Sequence, residues 1–176
     1  LPDYINSPSE KVIRGANNTW IVLGRDRPGN RLSGYGGRGD TQAGAIDMVV
    51  GRFVVFCKAR TERGERIYVD PSIKYDAARI YISQKTDVDE NFYLANGKVG
   101  NAKTKSAIAM KADGIRIVAR EGIKLVTRTD AINSQLGEVA EAVGIDLIAT
   151  NNDEDLQPLV KGQNLQEAME KMVTHV

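Results

Sequence analysis

The sequence predicts a mainly β fold: short strands in a meander or a β-solenoid-like repeat, a long Gly/Arg loop, an N-terminal extended arm and one C-terminal α-helix. Three observations lead there. In residues 106–127, SAIAMKADGIRIVAREGIKLVT, the pairs Ile108/Met110, Ile115/Ile117 and Ile123/Leu125 put a large apolar side chain at every second position, the period of a half-buried strand. Between them lie Ala112-Asp113-Gly114 and Arg120-Glu121-Gly122, where glycine accepts the positive φ of a tight turn. Finally, 17 glycines and only 6% aromatic residues suit short strands and many turns better than a large helical core.

The isoleucine parity is expected to face the core. The opposite face then carries Lys111, Arg116 and Lys124, but also Ala109, Val118 and Val126, which is too apolar for a fully solvated sheet. A neighbouring subunit is the expected cover, with Val118 and Val126 at the interface. Asp113-Gly114 favours a hairpin meander, whereas the eight-residue stride from Ile115 to Ile123 equally suits stacked strands of a solenoid or an intertwined trimeric β-helix.

Three regions follow: an extended arm at 1–18, a β-rich domain at 19–160 that includes the loop 25–45, and a helix at 161–176. The arm holds Pro2, Pro8, Gly15 and Asn17-Asn18, a composition for extended chain and local turns. Trp20, Ile21, Val22 and Leu23 make the first strand, ended by Gly24. Residues 45–50 and 53–59 read as central strands, 67–69 as a short edge, and 78–83 as a further strand. Ile132, Leu136, Val139 and Val143 lie at helical spacing, but Gly137 and Asn133-Ser134 interrupt them, so 130–143 reads as loop or short helix. Gly144-Ile145-Asp146-Leu147-Ile148 then repeats the strand pattern that begins at Gly122. Leu165, Met169, Met172 and Val173 form one helical stripe, with Asn164 as N-cap and Glu167 closing a capping box. Leu1 at the start and an uncapped helix at Val176 are read as cut ends of a longer protein.

The loop 25–45 contains Gly34-x-Gly36-x-x-Gly39, the letters of a dinucleotide fingerprint. That motif works only where a strand enters it and a helix leaves it, and here a Pro/Gly loop precedes and a strand follows. Arg38-Gly39-Asp40 is a three-letter receptor-binding match, too short to carry an argument alone. Arg25, Arg27, Arg31 and Arg38 make the loop a candidate docking element for carboxylates on another chain. Asp87, Asp89 and Asn91 start like a calcium loop, but Phe92 stands where the turn needs glycine and Lys98 where a bidentate Glu is needed. A solvated acidic turn is expected instead.

Composition excludes much chemistry. The formal net charge of +1 implies no bulk attraction to nucleic acid or membrane, and no run approaches the roughly 20 apolar residues of a spanning helix. Charge is uneven: residues 11–66 hold 11 basic and 5 acidic side chains, residues 130–176 hold 2 and 9, so the two regions are suited to dock between subunits. One histidine, His175, and one cysteine, Cys57, cannot close a tetrahedral metal shell or a catalytic dyad with a positioned base, and Cys57 is expected to be buried as a small hydrophobe. No cofactor and no enzymatic activity are expected.

With these residues laid out, the chain resembles virion structural proteins of large contractile-tailed bacteriophages, especially the marine, cyanophage-infecting kind. The segments that carry the likeness are INSPSEKVIRGANNTWIVLGRDRPG, GYGGRGDTQAGAIDMVVGR, DAARIYISQKTDVDENF, KADGIRIVAREGIKLVT and DLQPLVKGQNLQEAMEKMVTHV. They cover most of the chain in the same order. The resemblance implies a virion component made in the host cytoplasm, placed in a baseplate or tail spike or decorating the capsid, and a C-terminal region longer than this one; it carries no catalytic residues. The expected partners are further copies of the chain, as a trimer, and other virion proteins. The rival expectation is a module on the virion surface that binds a host receptor or glycan through the Gly/Arg loop.

Overall fold

A five-stranded antiparallel sheet organises the computed structural model, which describes residues 1–37, 43–53, 58–141 and 143–174. Its strands are β2 (Lys11–Arg14), β3 (Thr19–Arg25), β4 (Gly44–Val50), β6 (Ala78–Thr86) and β7 (Lys105–Lys111), paired in that order. A second, two-stranded parallel sheet joins β1 (Asp3–Tyr4) to β5 (Tyr68–Val69). Three helices complete the set among the described residues: α1 (Gly34–Gly37), α2 (Val88–Phe92) and α3 (Gly162–Thr174).

The mainly β expectation holds as an antiparallel sheet, while the hairpin expected at Asp113-Gly114 does not form, since no strand follows β7 among the described residues. Among the described residues the large sheet is open and antiparallel, with no closed barrel or solenoid. Each strand has a local cause. Asn18, at φ 56°, and Gly15 close the β2–β3 hairpin, with Gly15 N–H donating to Thr19 O at 2.8 Å. The Asn18 side chain locks that corner by accepting from Trp20 Nε1 at 2.7 Å and donating to Arg52 O at 3.1 Å. Residues 11–14, expected as part of a loose arm, therefore form an edge strand.

The rest of the arm also stays on its own chain. Ile5 N–H donates to Val69 O and Asp3 N–H to Ile67 O, both at 2.9 Å. These bonds extend the β1–β5 pairing and draw residues 1–10 across one face of the large sheet.

The loop 25–45 is organised by Asp26, whose side chain is fully buried. Its carboxylate accepts from Tyr81 OH at 2.6 Å, Ser83 Oγ at 3.2 Å and Tyr35 N–H at 2.8 Å. The fingerprint glycines Gly34 and Gly36 serve this packing and open no nucleotide-binding helix, since α1 is one turn long. Gly34 sits at φ +68°, and a Cβ there would lie 2.6 Å from Asp26 O and 2.7 Å from Pro28 Cδ. Gly34→Ala is expected to cost roughly 2–3 kcal/mol, from a left-handed backbone and a clash that backbone atoms cannot relieve. Thermal unfolding with an unchanged midpoint would refute this.

Asp87 and Asp89 are not a solvated turn. Asp87 accepts from Tyr35 OH at 3.0 Å and Thr104 N–H at 2.7 Å, and Asp89 accepts from Ala102 N–H at 2.6 Å, so both carboxylates fasten the loop after α2. Further along, Asp146 accepts from Lys98 and Val99 N–H at 2.7 and 2.9 Å, and Asp153 from Gly97 N–H at 2.8 Å. The returning chain is thereby anchored to the same loop.

Helix α3 begins at Gly162, two residues before the expected cap, so Asn164 lies inside it and no capping box forms. Leu165, Met169, Met172 and Val173 are all exposed, and the stripe packs on nothing. Of the strand expected at 53–59, the described residues Phe53, Lys58 and Ala59 lie in no strand; residues 54–57, and with them the burial expected of Cys57, are outside the described ones, as are Arg38, the Arg38-Gly39-Asp40 tripeptide and His175.

Candidate interaction surface

The two faces of the large sheet carry the opposite of the usual chemistry. Residues paired across antiparallel strands share a face, so the register groups them. On one face, Val12, Val22, Asp47, Tyr81 and Ala109 form one cross-strand row, and Arg14, Trp20, Val49, Arg79 and Lys111 another. This face is covered, and Asp47, Arg79, Tyr81 and Ser83 are buried under the arm and loops.

The cover is ionic. Arg79 donates through Nε to Asp47 Oδ1 at 2.8 Å and through Nη2 to Asp76 Oδ2 at 2.8 Å, while Arg52, fully buried, lies 3.5 Å from Asp47 and 3.6 Å from Asp76. Tyr4 of the arm closes over this group, with the Arg52 guanidinium 4.5 Å from its ring centre. Arg27 adds a second ion cluster, 2.9 Å from Glu10 Oε1 and 3.3 Å from Asp70 Oδ1, and also donates to Tyr4 OH and Ile5 O.

Burial pushes the Tyr4 hydroxyl up to about 12, against the pull of the neighbouring Arg27. Tyr81 is raised further, by burial first and by Asp26 second. A tyrosine raised in the folded state stays protonated while the unfolded chain ionises near 10. Its stability contribution is therefore complete below about pH 10 and is lost as pH climbs through about 12. Absorbance titration at the tyrosinate band should show these two hydroxyls ionising last, Tyr81 only with unfolding; ionisation of all tyrosines in one step near pH 10 in the folded chain would contradict it.

The other face is apolar and open. Ile13, Ile21, Met48, Ile80 and Met110 make an unbroken row across all five strands, and Leu23, Ile46, Ile82 and Ile108 a second row across four. Ile108 is 72% exposed and Met110 52%. The first row floors a groove of about 600 Å³ whose walls include Thr19, Val50 and Ala112. An exposed apolar patch of this extent marks a candidate interaction site.

This reverses the expected parity. In β7 it is Ala109 and Lys111 that turn toward the covered side, Lys111 Nζ donating to Ile73 O at 2.7 Å, while the isoleucine face looks outward. The reason is upstream: in β4 and β6 the buried parity carries Asp47, Arg79, Tyr81 and Ser83, and the arm and loop supply their charge partners only on that side.

No protein-family model, curated protein or solved structure matches this chain. The surface must be read from its own geometry.

Beyond β7 every residue from 112 to 132 is exposed, and none of these residues lies in a strand. The strands expected near 115–118, 123–126 and 145–149 are absent, because each needs a neighbouring strand to satisfy its N–H and C=O groups and none lies beside them among the described residues. The stretch leaves the sheet at Lys111 and returns at Ser134, whose Oγ accepts from Ser106 N–H at 3.3 Å at the other end of β7. It forms a long arm tied at both ends.

Of the predicted interface residues, Val118 is 88% and Val126 69% exposed, both on this arm. Arg31 is exposed. Arg27 is buried and engaged by Glu10 and Asp70, so it does not reach a foreign carboxylate, and Arg25 is held by Ser7 Oγ at 2.8 Å. The structure thus separates the arginines and brings out Ile21, Met48 and Ile80, which periodicity alone assigns to a core. Their signal was Asp47, an acid alternating with the apolar residues of a central strand.

Proposed function

We propose that this chain is a structural component of a tailed-phage virion, acting by non-covalent assembly with copies of itself and with other virion proteins. The observation that carries the reading is the open apolar face beside an exposed arm with isoleucine and leucine at alternate positions: a sheet with its charged side closed and its apolar side bare is half of an interface. The segments likened above to virion proteins span both parts. A baseplate or tail-spike position is preferred to capsid decoration, because an edge strand followed by a strand-patterned arm suits stacking along an axis.

The mechanism is passive. Each copy supplies a rigid sheet, held by its ion clusters, and an arm; association removes both from water. Mass spectrometry and cryo-electron microscopy of purified particles test it. A fixed copy number at an ordered position in the tail or on the capsid lattice is expected. Absence from particles, or presence only at fibre tips as a receptor-binding module would show, overturns it.

A further inference from the structure

We infer that residues 115–126 of one copy lie across the apolar row Ile13–Ile21–Met48–Ile80–Met110 of a second copy. This rests on the assembly reading above but not on the virion placement. It names which parts meet.

Three observations converge. The groove has an apolar floor from edge to edge, so its occupant must turn an apolar face to it. One parity of the arm is such a face, with Ile115, Ile117, Ala119, Ile123 and Leu125 broken only by Glu121, while the other carries Val118 and Val126 among Arg116, Arg120 and Lys124, whose cations stay in water when the isoleucine side is laid down. In the single chain Ile115, Ile117, Val118, Ile123, Leu125 and Val126 are all exposed, between 46% and 88%, so the arm leaves them in water. An unstructured stretch of this length in a compact domain is uncommon unless it binds something.

Area selects a second copy with its arm over simple face-to-face stacking. A five-stranded face with strands of this length covers roughly 20 by 22 Å, so two such faces stacked bury about 900 Å², under the roughly 1,200–2,000 Å² of stable interfaces. The arms supply the remainder, since twelve extended residues reach about 40 Å and span the whole sheet. The root of the arm, Ala112, Gly114 and Ile115, already forms one wall of the groove. A neighbour's arm entering there runs beside it.

The test uses the 176-residue chain. Light scattering after size exclusion should show an oligomer for the wild type, and the double variant I117S/L125S should raise the dissociation constant by about a hundredfold or more. These residues are exposed in the single chain, so its circular dichroism should not change. A photo-reactive benzoylphenylalanine at Ile117, in a mixture of isotopically light and heavy chains, should cross-link to Met48, Ile80 or Met110 of the other isotope. A monomeric wild type, an unaltered oligomer in the double variant, or cross-links confined to one copy would each overturn the inference. Particle imaging that fails to find the chain would sink the virion reading and leave this result standing.

Discussion

Asp76→Ala is expected to lower unfolding free energy by about 3–5 kcal/mol, the range for removing one partner of a buried ion group. Asp76 is almost wholly enclosed, and its carboxylate does four things: it accepts from Arg79 Nη2 at 2.8 Å, from Phe53 N–H at 2.7 Å and from Ser72 N–H at 3.1 Å, and it faces Arg52 at 3.6 Å. Without it, two guanidinium groups share only Asp47, and two backbone donors lose their acceptor. Denaturant unfolding of the two proteins measures the difference. A change under about 1 kcal/mol would mean that the ionic layer is not what holds the arm and loops to the sheet. Arg79→Met in the Asp76→Ala background should then cost less than the sum of the two single changes, because the residues act as one group.

Asp26→Ala is expected to cost about 3 kcal/mol by a different route, since no cation neutralises this carboxylate among its hydrogen-bonded contacts; three donors do. Tyr81 OH, Ser83 Oγ and Tyr35 N–H all converge on it, joining β6 to the loop that precedes α1. The same substitution should lower the ionisation of Tyr81 toward the ordinary tyrosine range, because the adjacent negative charge is the second cause that holds it up. Stability and tyrosine absorbance of one variant therefore check two linked claims. Full stability with an unmoved Tyr81 would place the loop's attachment elsewhere.

Strand positions were largely legible in the residues. Trp20 to Leu23, Ala45 to Val50 and Ala78 to Ser83 announced themselves by β-branched and aromatic content, and each is a strand in the large sheet. The direction each strand faces was not. Alternation identifies two parities but not which one is inside; that depends on partners distant in sequence, and here Asp76, Arg52 and Asp26 reach the sheet from three different loops and Tyr4 from β1. The arm at 112–132 shows the complementary limit. Its isoleucines have the pattern of strands, yet a strand is a property of a pair, and among the described residues no strand pairs with this stretch. Arg27 of the loop 25–45 shows the same dependence on distant partners, because its acids, Glu10 and Asp70, flank it from both sides in sequence.

Charges enclosed on one side of the sheet also impose an order of events. The loops that neutralise Asp47 and Arg79 come from the same polypeptide, so that half of the molecule is finished without help and at any dilution. Under the assembly proposed above, the bare half is finished by encounter with a second copy. Such a chain should mature in two kinetic phases, an early one indifferent to how much protein is present and weakened by the loss of Asp76, and a later one that quickens as protein is added and that high salt, by strengthening apolar contact, accelerates.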